Sequence, residues 1–250
     1  MIGPAAAVTG EVAGLRVSQR AIAVDGGPGR LIVVEVPPMA VVEVVPVWAP
    51  SALQAFVEVA PGRACAAING GFYDLQGAMG WVVHAGGEVA PLRATGGSGV
   101  LVIDGEGARI VHRDDAKGRP REALQSIDRL VDGGRSVVGA GARPDADARS
   151  AVGLRGDGTM VFAVVFADAA VVREDGGRVE LGPASSTTGL SLAAWAELLA
   201  RPVAEEGLGV VTALNLDGGY STSLVVNVGG VELEVVAHGA TINALRACAG

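Results

Sequence analysis

The chain has 250 residues, half of them apolar, and a formal net charge of −8 at pH 7, enough apolar mass to bury a large core without disulfides or metals as staples. Arginine carries nearly all the positive charge, Lys117 being the only lysine, which argues against general nucleic-acid binding, since neutralising phosphates needs a concentrated basic surface. Most lysine chemistry goes with it, and no Gly-x-x-x-x-Gly-Lys segment is present to cradle a nucleotide.

The N-terminus lacks a basic region followed by a continuous apolar segment, so it does not read as a signal peptide as it stands. Residues 1–40 read as the first strands of the domain or as a variable extension, and 41–250 as the domain proper. The most apolar stretch, Leu31 to Trp48, is interrupted by Glu35, Pro37, Pro38, Glu43 and Pro46, which rules it out as a membrane-spanning helix. Within it the valine-rich run Val33 to Val47 reads as strand. Ser51 to Val59 reads as a helix opened by a serine cap. Cys65 to Ile68 is small and apolar, a buried strand running into Asn69-Gly70-Gly71-Phe72-Tyr73-Asp74.

Glycine pairs recur at 26–27, 86–87, 96–97, 133–134, 176–177 and 229–230, and most of them read as hairpin turns. Lys117 falls in the charged, turn-rich stretch Arg113 to Arg121 and reads as part of a solvated loop. Pro120 to Leu130 reads as a second helix. Gly156-Asp157-Gly158 is a hairpin turn in its own right, and Val161 to Val172 is a strand. The helix expected from Ser191 to about Glu206, disturbed by Pro202, places Leu192, Trp195, Leu198 and Leu199 on one face, which is core rather than a cofactor box.

Leu208 to Leu214 reads as a buried strand leading into Asn215-Leu216-Asp217-Gly218-Gly219-Tyr220-Ser221-Thr222-Ser223. Burying Asn215 and Asp217 without partners would cost roughly 1–3 kcal/mol each, so these residues have a role to fill. The two Asn-Gly-Gly and Asp-Gly-Gly turns share a grammar: an amide, a glycine pair and a carboxylate at the end of a buried strand. Either alone is an ordinary turn; together they favour a shared polar site. Glycine pairs also leave backbone N–H groups uncovered, which suits an anionic ligand. Cys65 and Cys248 cannot form a metal cluster by spacing. Each sits beside alanine in an apolar context, so both read as buried free thiols; pairing would mark an oxidising compartment. His84 and His112 have no polar cluster around them. The whole reads as an α+β fold, a strand-rich single domain with mixed sheets and two to three packed helices.

The segment Ile68 to Asp74, the run Arg149-Ser150-Ala151-Val152-Gly153 followed by Asp157-Gly158, and the turn Asn215-Leu216-Asp217-Gly218-Gly219 resemble the phosphodiester glycosidase family in order and spacing. The resemblance extends from about Val41 to Leu245. The chain departs from it at Tyr220, where a third glycine is usual, at Ile127-Asp128, where a Gly-Pro pair is usual, and after the last motif, where an Asn-Pro stretch gives way to Val228-Gly229-Gly230-Val231 and a later His238.

The resemblance implies hydrolysis of the glycosidic C–O bond of a sugar-1-phosphodiester, with no cofactor. Breaking that bond builds positive charge on the sugar and negative charge on the phosphate, so a carboxylate is needed near the ring and donors near the phosphate. Asp217 and Asp74 are the candidate carboxylates and Arg149 the phosphate donor. The N–H groups of Gly70, Gly71, Gly218 and Gly219 would share the anion. Asn69 and Asn215 would hold sugar hydroxyls or an acetamido group, with Ser221 and Thr222 bonding the turn or the substrate and His238 near the site. A phosphate leaves readily without strong acid help, so Asp217 should matter far more than Asp74. N-acetylglucosamine is one sugar that fits. A bacterial-looking composition rich in alanine, valine, glycine and arginine argues against a lysosomal mannose substrate and leaves wall polymers, exopolysaccharide phosphodiesters and sugar nucleotides open; the resemblance ranks the first two ahead, because the family's better-known members act outside the cytoplasm.

Other classes fit less well. A serine hydrolase would need a Gly-x-Ser-x-Gly elbow, and Gly219-Tyr220-Ser221-Thr222-Ser223 lacks its second glycine. A metal-dependent phosphodiesterase using Asp74, Asp217, Asn69, Asn215 and His238 has no paired ligand motif. A non-catalytic glycan-binding module would have Tyr220 filling the pocket that a third glycine leaves open.

Overall fold

The computed structural model describes residues 9–47, 63–95, 97–139 and 144–250. Their architecture is dominated by strands, in three large sheets and one small ribbon. The eight-stranded sheet runs, edge to edge, through Thr9–Val12, Leu15–Val24, Gly27–Val36, Met160–Ala167, Arg149–Leu154, Thr212–Asn215, Arg129–Asp132 and Arg135–Ser136. A seven-stranded sheet runs through Val171–Asp175, Arg178–Leu181, Val231–Val236, Ser223–Val228, Cys65–Asn69, Asn243–Cys248 and Val41–Pro46. The five-stranded sheet is ordered Gly107–His112, Gly99–Asp104, Glu122–Ser126, Val82–His84, Gly87–Ala90. Pairing is antiparallel apart from Arg178–Leu181 against Val231–Val236.

All three sheets contribute to the main core, where Val34, Phe162 and Leu214 meet Ile68, Leu224 and Leu245 and, from the third sheet, Leu101 and Leu124. The central strands Arg149–Leu154 and Met160–Ala167 are buried at every position, because the second face of the eight-stranded sheet is covered too. There Leu31, Val33, Ala163 and Val165 pack with Trp195, Leu198 and Leu199 of the helix Leu192–Ala200. Ser191 caps that helix, accepting from the Ala194 N–H at 3.3 Å, and Pro202 prevents its continuation, so a separate single turn follows at Val203–Glu205. No helix among the described residues is long and apolar enough to cross a membrane.

The structure corrects several expectations. The helix read at Pro120 to Leu130 is two strands, Glu122–Ser126 and Arg129–Asp132. Helix-forming Glu, Ala, Leu and Gln are overridden by tertiary pairing: the first strand lies inside the five-stranded sheet, its Glu122 carboxylate accepts from the Val44 and Ala85 N–H groups, and Gln125 accepts from those of Trp81 and Arg93. A single α-helix remains among the described residues, so the fold is mostly β; the helix expected at Ser51 to Val59 lies outside them. Val33 to Val47 is split by Pro37-Pro38 into two strands in different sheets, and Val161 to Val172 is split by the turn Asp168–Ala170. Leu208 to Leu214 is strand only from Thr212.

Five glycine pairs do sit at hairpin turns. Gly229 and Gly230, both at positive φ (59° and 81°), link Val228 to Val231 in a two-residue loop whose twist suits paired strands. Cys65 and Cys248 are not free thiols: they face each other in register on neighbouring strands and form a disulfide, with Cα atoms 4.1 Å apart. The apolar setting was read correctly, but a cross-strand partner 183 residues away leaves no local trace.

Candidate active site

The two signature turns meet where central strands of the seven- and eight-stranded sheets end together. Strand Thr212–Asn215 runs antiparallel to Arg149–Leu154, with Asn215 opposite Ala151. Beyond the strand its chain still follows that partner, Leu216 donating to the Ser150 carbonyl at 3.0 Å and Gly219 to that of Ala148 at 2.8 Å. From the other sheet Asn69 closes the junction. It is fully buried, and its Oδ1 accepts from Ser150 Oγ at 2.8 Å and the Ser223 N–H at 3.0 Å, while Nδ2 donates to the Asp217 carbonyl at 2.6 Å. The Asp217 N–H donates to the Gly70 carbonyl at 2.9 Å. These bonds tie one turn to the other before any ligand is considered.

Beside this junction lies a cavity of about 470 Å³, lined by Phe72, Tyr73, Asp147, Arg149, Ser186, Asp217, Gly218, Gly219, Tyr220 and Ser221. Asp217 is partly buried in its wall, and burial pushes its pKa up from the usual carboxylate value to about 6; hydrogen bonds from Ser221 and from the Gly218 N–H, at 3.0 Å, pull the other way. Arg149, at the start of its strand, is only 4% exposed. Its Nε donates to the Leu190 carbonyl at 2.8 Å and Nη2 to that of Asp145 at 2.7 Å, while Nη2 lies 3.1 Å from an Asp147 carboxylate oxygen. A carboxylate and a firmly held guanidinium thus face the same space, opposite charges suited to the two ends of a bond that breaks heterolytically.

Not every sequence candidate reaches this cavity. Asp74 is exposed on the short strand Tyr73–Asp74, accepts from the Gln76 N–H at 2.8 Å and lies 3.7 Å from Arg93; its neighbour Tyr73 lines the cavity instead. Asn69 spends its amide on the junction, and Asn215 is buried, its backbone N–H held by Asp128. Neither lines the cavity, and neither does Thr222, which is fully buried. His238 is exposed and stands apart from the lining. Ser221 does line it, with its hydroxyl also 3.2 Å from the Ala240 carbonyl.

The glycine N–H groups offered to an anion are taken. Gly70 donates to the Asn243 carbonyl, Gly71 to Asn243 Oδ1 at 2.7 Å, Gly218 to Asp217 and Gly219 to Ala148. Their reason is steric: a Cβ on Gly70 would overlap Asn243 Oδ1, and one on Gly218 would stand 2.8 Å from the Ala148 carbonyl.

Asp147, Ser186, Phe72 and Tyr73, which line the cavity, and the buried anchor Asn243 were not among the sequence candidates. One signal was available for Asp147: Asp145-Ala146-Asp147-Ala148-Arg149 alternates charged and small residues, so extended chain puts Asp147 and Arg149 on one face. Tyr220 does not fill the pocket; it stands at its edge, 46% exposed. Among the described residues there is no group of three His, Cys, Asp or Glu placed to hold a metal ion.

Comparison with known proteins bears on the family and the fold. The phosphodiester glycosidase family model matches residues 62–248. No curated protein matches the sequence. Solved structures share the fold. The zebrafish N-acetylglucosamine-1-phosphodiester alpha-N-acetylglucosaminidase catalytic domain, auto-inhibited by its pro-peptide, is 20% identical with a TM-score of 0.61, over 96% of this chain and 86% of that one. A hypothetical protein from Synechocystis is 16% identical with a TM-score of 0.61, over 94% of this chain and 62% of its own. A Burkholderia pseudomallei protein is 14% identical with a TM-score of 0.54, over 88% and 74%. The chain therefore spans less than two thirds of the Synechocystis protein's length. The structural likenesses establish the fold, and the family match, which takes in both turns and the Arg149 strand, establishes that the chain belongs to the phosphodiester glycosidase family.

Proposed function

We propose that the protein hydrolyses the glycosidic C–O bond of a sugar-1-phosphodiester, releasing free sugar and a phosphomonoester. The observation that carries this reading is the pairing of Asp217 and Arg149 on one cavity wall. The sugar sits against Asp217, whose carboxylate stabilises the positive charge that grows on the ring, and the phosphate sits toward Arg149. Water adds to the anomeric carbon as the bond to the phosphate oxygen breaks; the electron pair leaves with the phosphate, and the surplus proton of the water is released to solvent. That group departs readily, so an ionised Asp217 is the useful form. Phe72, Tyr73 and Tyr220 supply ring surface for the sugar or for the group beyond the phosphate.

N-acetylglucosamine is the first sugar to try, because it is the sugar in the zebrafish enzyme's name. Wall or exopolysaccharide phosphodiesters are the first polymers, and the Cys65–Cys248 disulfide favours an oxidising compartment where such polymers lie. The test is a panel of sugar-1-phosphodiesters, including UDP-N-acetylglucosamine, incubated with wild type and Asp217→Asn, with and without chelator. Chelator-resistant release of free sugar, lost in the variant, is expected. Release of sugar phosphate would replace this reading with a metal-dependent phosphodiesterase, and binding without turnover would replace it with a glycan-binding module.

A further inference from the structure

Two carboxylates, Asp217 and Asp147, and one cation, Arg149, supply the charged side chains of the cavity wall among the described residues. The carboxylates are not equivalent. Asp217 hangs on the Asp-Gly-Gly turn and is held by the Gly218 N–H. Asp147 lies two residues before Arg149 in extended chain, its backbone bridged to Leu190 on both sides, with the N–H donating at 3.3 Å and the carbonyl accepting at 2.9 Å. Leu190 also receives Arg149 Nε. One short segment thus fixes the guanidinium and its carboxylate partner together, 3.1 Å apart, at the edge of the cavity proposed above to take a phosphate. About a quarter of the Asp147 side chain stays exposed, so its charge acts on whatever occupies that space.

The charges of substrate and product differ in one relevant way. A phosphodiester carries a single negative charge, whereas a phosphomonoester carries nearly two once the pH exceeds its second pKa of about 6. A bare arginine site would prefer the dianion. With a carboxylate fixed against the arginine, the second charge meets repulsion instead of attraction.

We infer that Asp147 is a specificity-determining residue: by partly neutralising Arg149 it makes the cavity select phosphodiesters over phosphomonoesters, and it expels the phosphomonoester once the sugar bond is broken. This rests on the glycosidase reading for its biological meaning, but its charge selection can be measured without turnover. Asp147 takes no part in bond making or breaking; it sets which anion Arg149 accepts.

The experiment is an NMR titration of the full chain at pH 8 with dimethyl phosphate, a monoanion, and methyl phosphate, a dianion, in wild type, Asp147→Asn and Asp147→Glu. Wild type is expected to bind dimethyl phosphate more tightly. In Asp147→Asn, methyl phosphate should gain about tenfold or more in affinity, the scale of one unit charge removed at close range, while dimethyl phosphate shifts by less than about threefold. Asp147→Glu, which keeps the charge, should keep the wild-type order and guards against a variant that fails to fold. A purely structural role would move both ligands together. An unchanged ratio in Asp147→Asn, tighter methyl phosphate binding by wild type, or no binding of either ion to wild type would overturn the inference. Sugar release from the substrate panel is a separate readout: its absence would sink the glycosidase reading while leaving the charge selection standing or falling on the titration.

Discussion

The turns at Asn69–Asp74 and Asn215–Ser221 look alike in sequence and do different work. In the first, Asn69 is a buried tie, Gly70 and Gly71 are pinned by Asn243, and Asp74 is exposed outside the cavity lining. In the second, Asp217, Gly218, Gly219, Tyr220 and Ser221 form cavity wall. The first turn lends Phe72 and Tyr73 to the cavity, but its start is scaffold for the second: Asn69 and Gly70 hold the Asp217 backbone from both sides, through its carbonyl and its N–H. A repeated motif therefore need not mean shared chemistry, and a buried amide can serve a site by positioning what touches the substrate.

The largest expected effect lies in the second turn. Asp217→Asn should lower turnover about 10³-fold or more, on the scale of losing a principal electrostatic group. The same change should make the fold more stable. A shift from 3.8 to about 6 means that the folded state favours the protonated acid, so this group's contribution is present at low pH and is lost as pH rises through about 6. At neutral pH the buried charge costs about 3 kcal/mol, and thermal melts of wild type and Asp217→Asn should coincide below about pH 4, separate as the pH rises from about 4 to about 6, and stay apart by a constant amount above it. Loss of both activity and stability would mean that Asp217 is structural.

The first turn should show the opposite signature. Asn69→Ala strips partners from Ser150, Ser223 and the Asp217 carbonyl, and should destabilise the protein by about 2–4 kcal/mol in denaturant titrations. Reduction of Cys65–Cys248, which closes most of the chain into a loop, should cost about 2–5 kcal/mol, seen as a lower midpoint in the presence of reductant. It is a control for general destabilisation, since the bond lies in a core cluster that includes no cavity residue.

Smaller effects sharpen the contrast. Because the ionised form of Asp217 is the useful one, kcat/KM should rise tenfold per pH unit below about 6 and then level off; a fall above pH 6 would make Asp217 a proton donor instead. Asp74→Asn should stay within about threefold of wild type, as an exposed turn residue should, and losses matching those of Asp217→Asn would place both turns in the chemistry.

Some of this was legible in the sequence for physical reasons. Asp217 stood out because a carboxylate at the end of a buried strand is costly without a purpose, and the helix at Leu192–Ala200 because its apolar face and serine cap are local features. The family resemblance was readable because its motifs sit on the strands and turns that build the junction. What escaped was non-local. Glu122–Ser126 is a strand only because sheet neighbours and backbone N–H groups from Val44, Trp81, Ala85 and Arg93 satisfy its polar residues. The role of the glycine pairs depended on Asn243 and Ala148, far along the chain, which fill the space a ligand had been assigned. Asp74 was a candidate because it copies the place of Asp217 in a motif, whereas Asp147 becomes visible only when Arg149 and Leu190 fix it against the cavity.

The central claim is that the bond broken is between carbon and oxygen, beside Asp217. It is tested most directly by hydrolysing a turned-over sugar-1-phosphodiester in ¹⁸O-labelled water and locating the label by mass spectrometry. Carbon–oxygen cleavage puts ¹⁸O in the sugar and none in the phosphomonoester; label in the phosphate would show attack at phosphorus and contradict it.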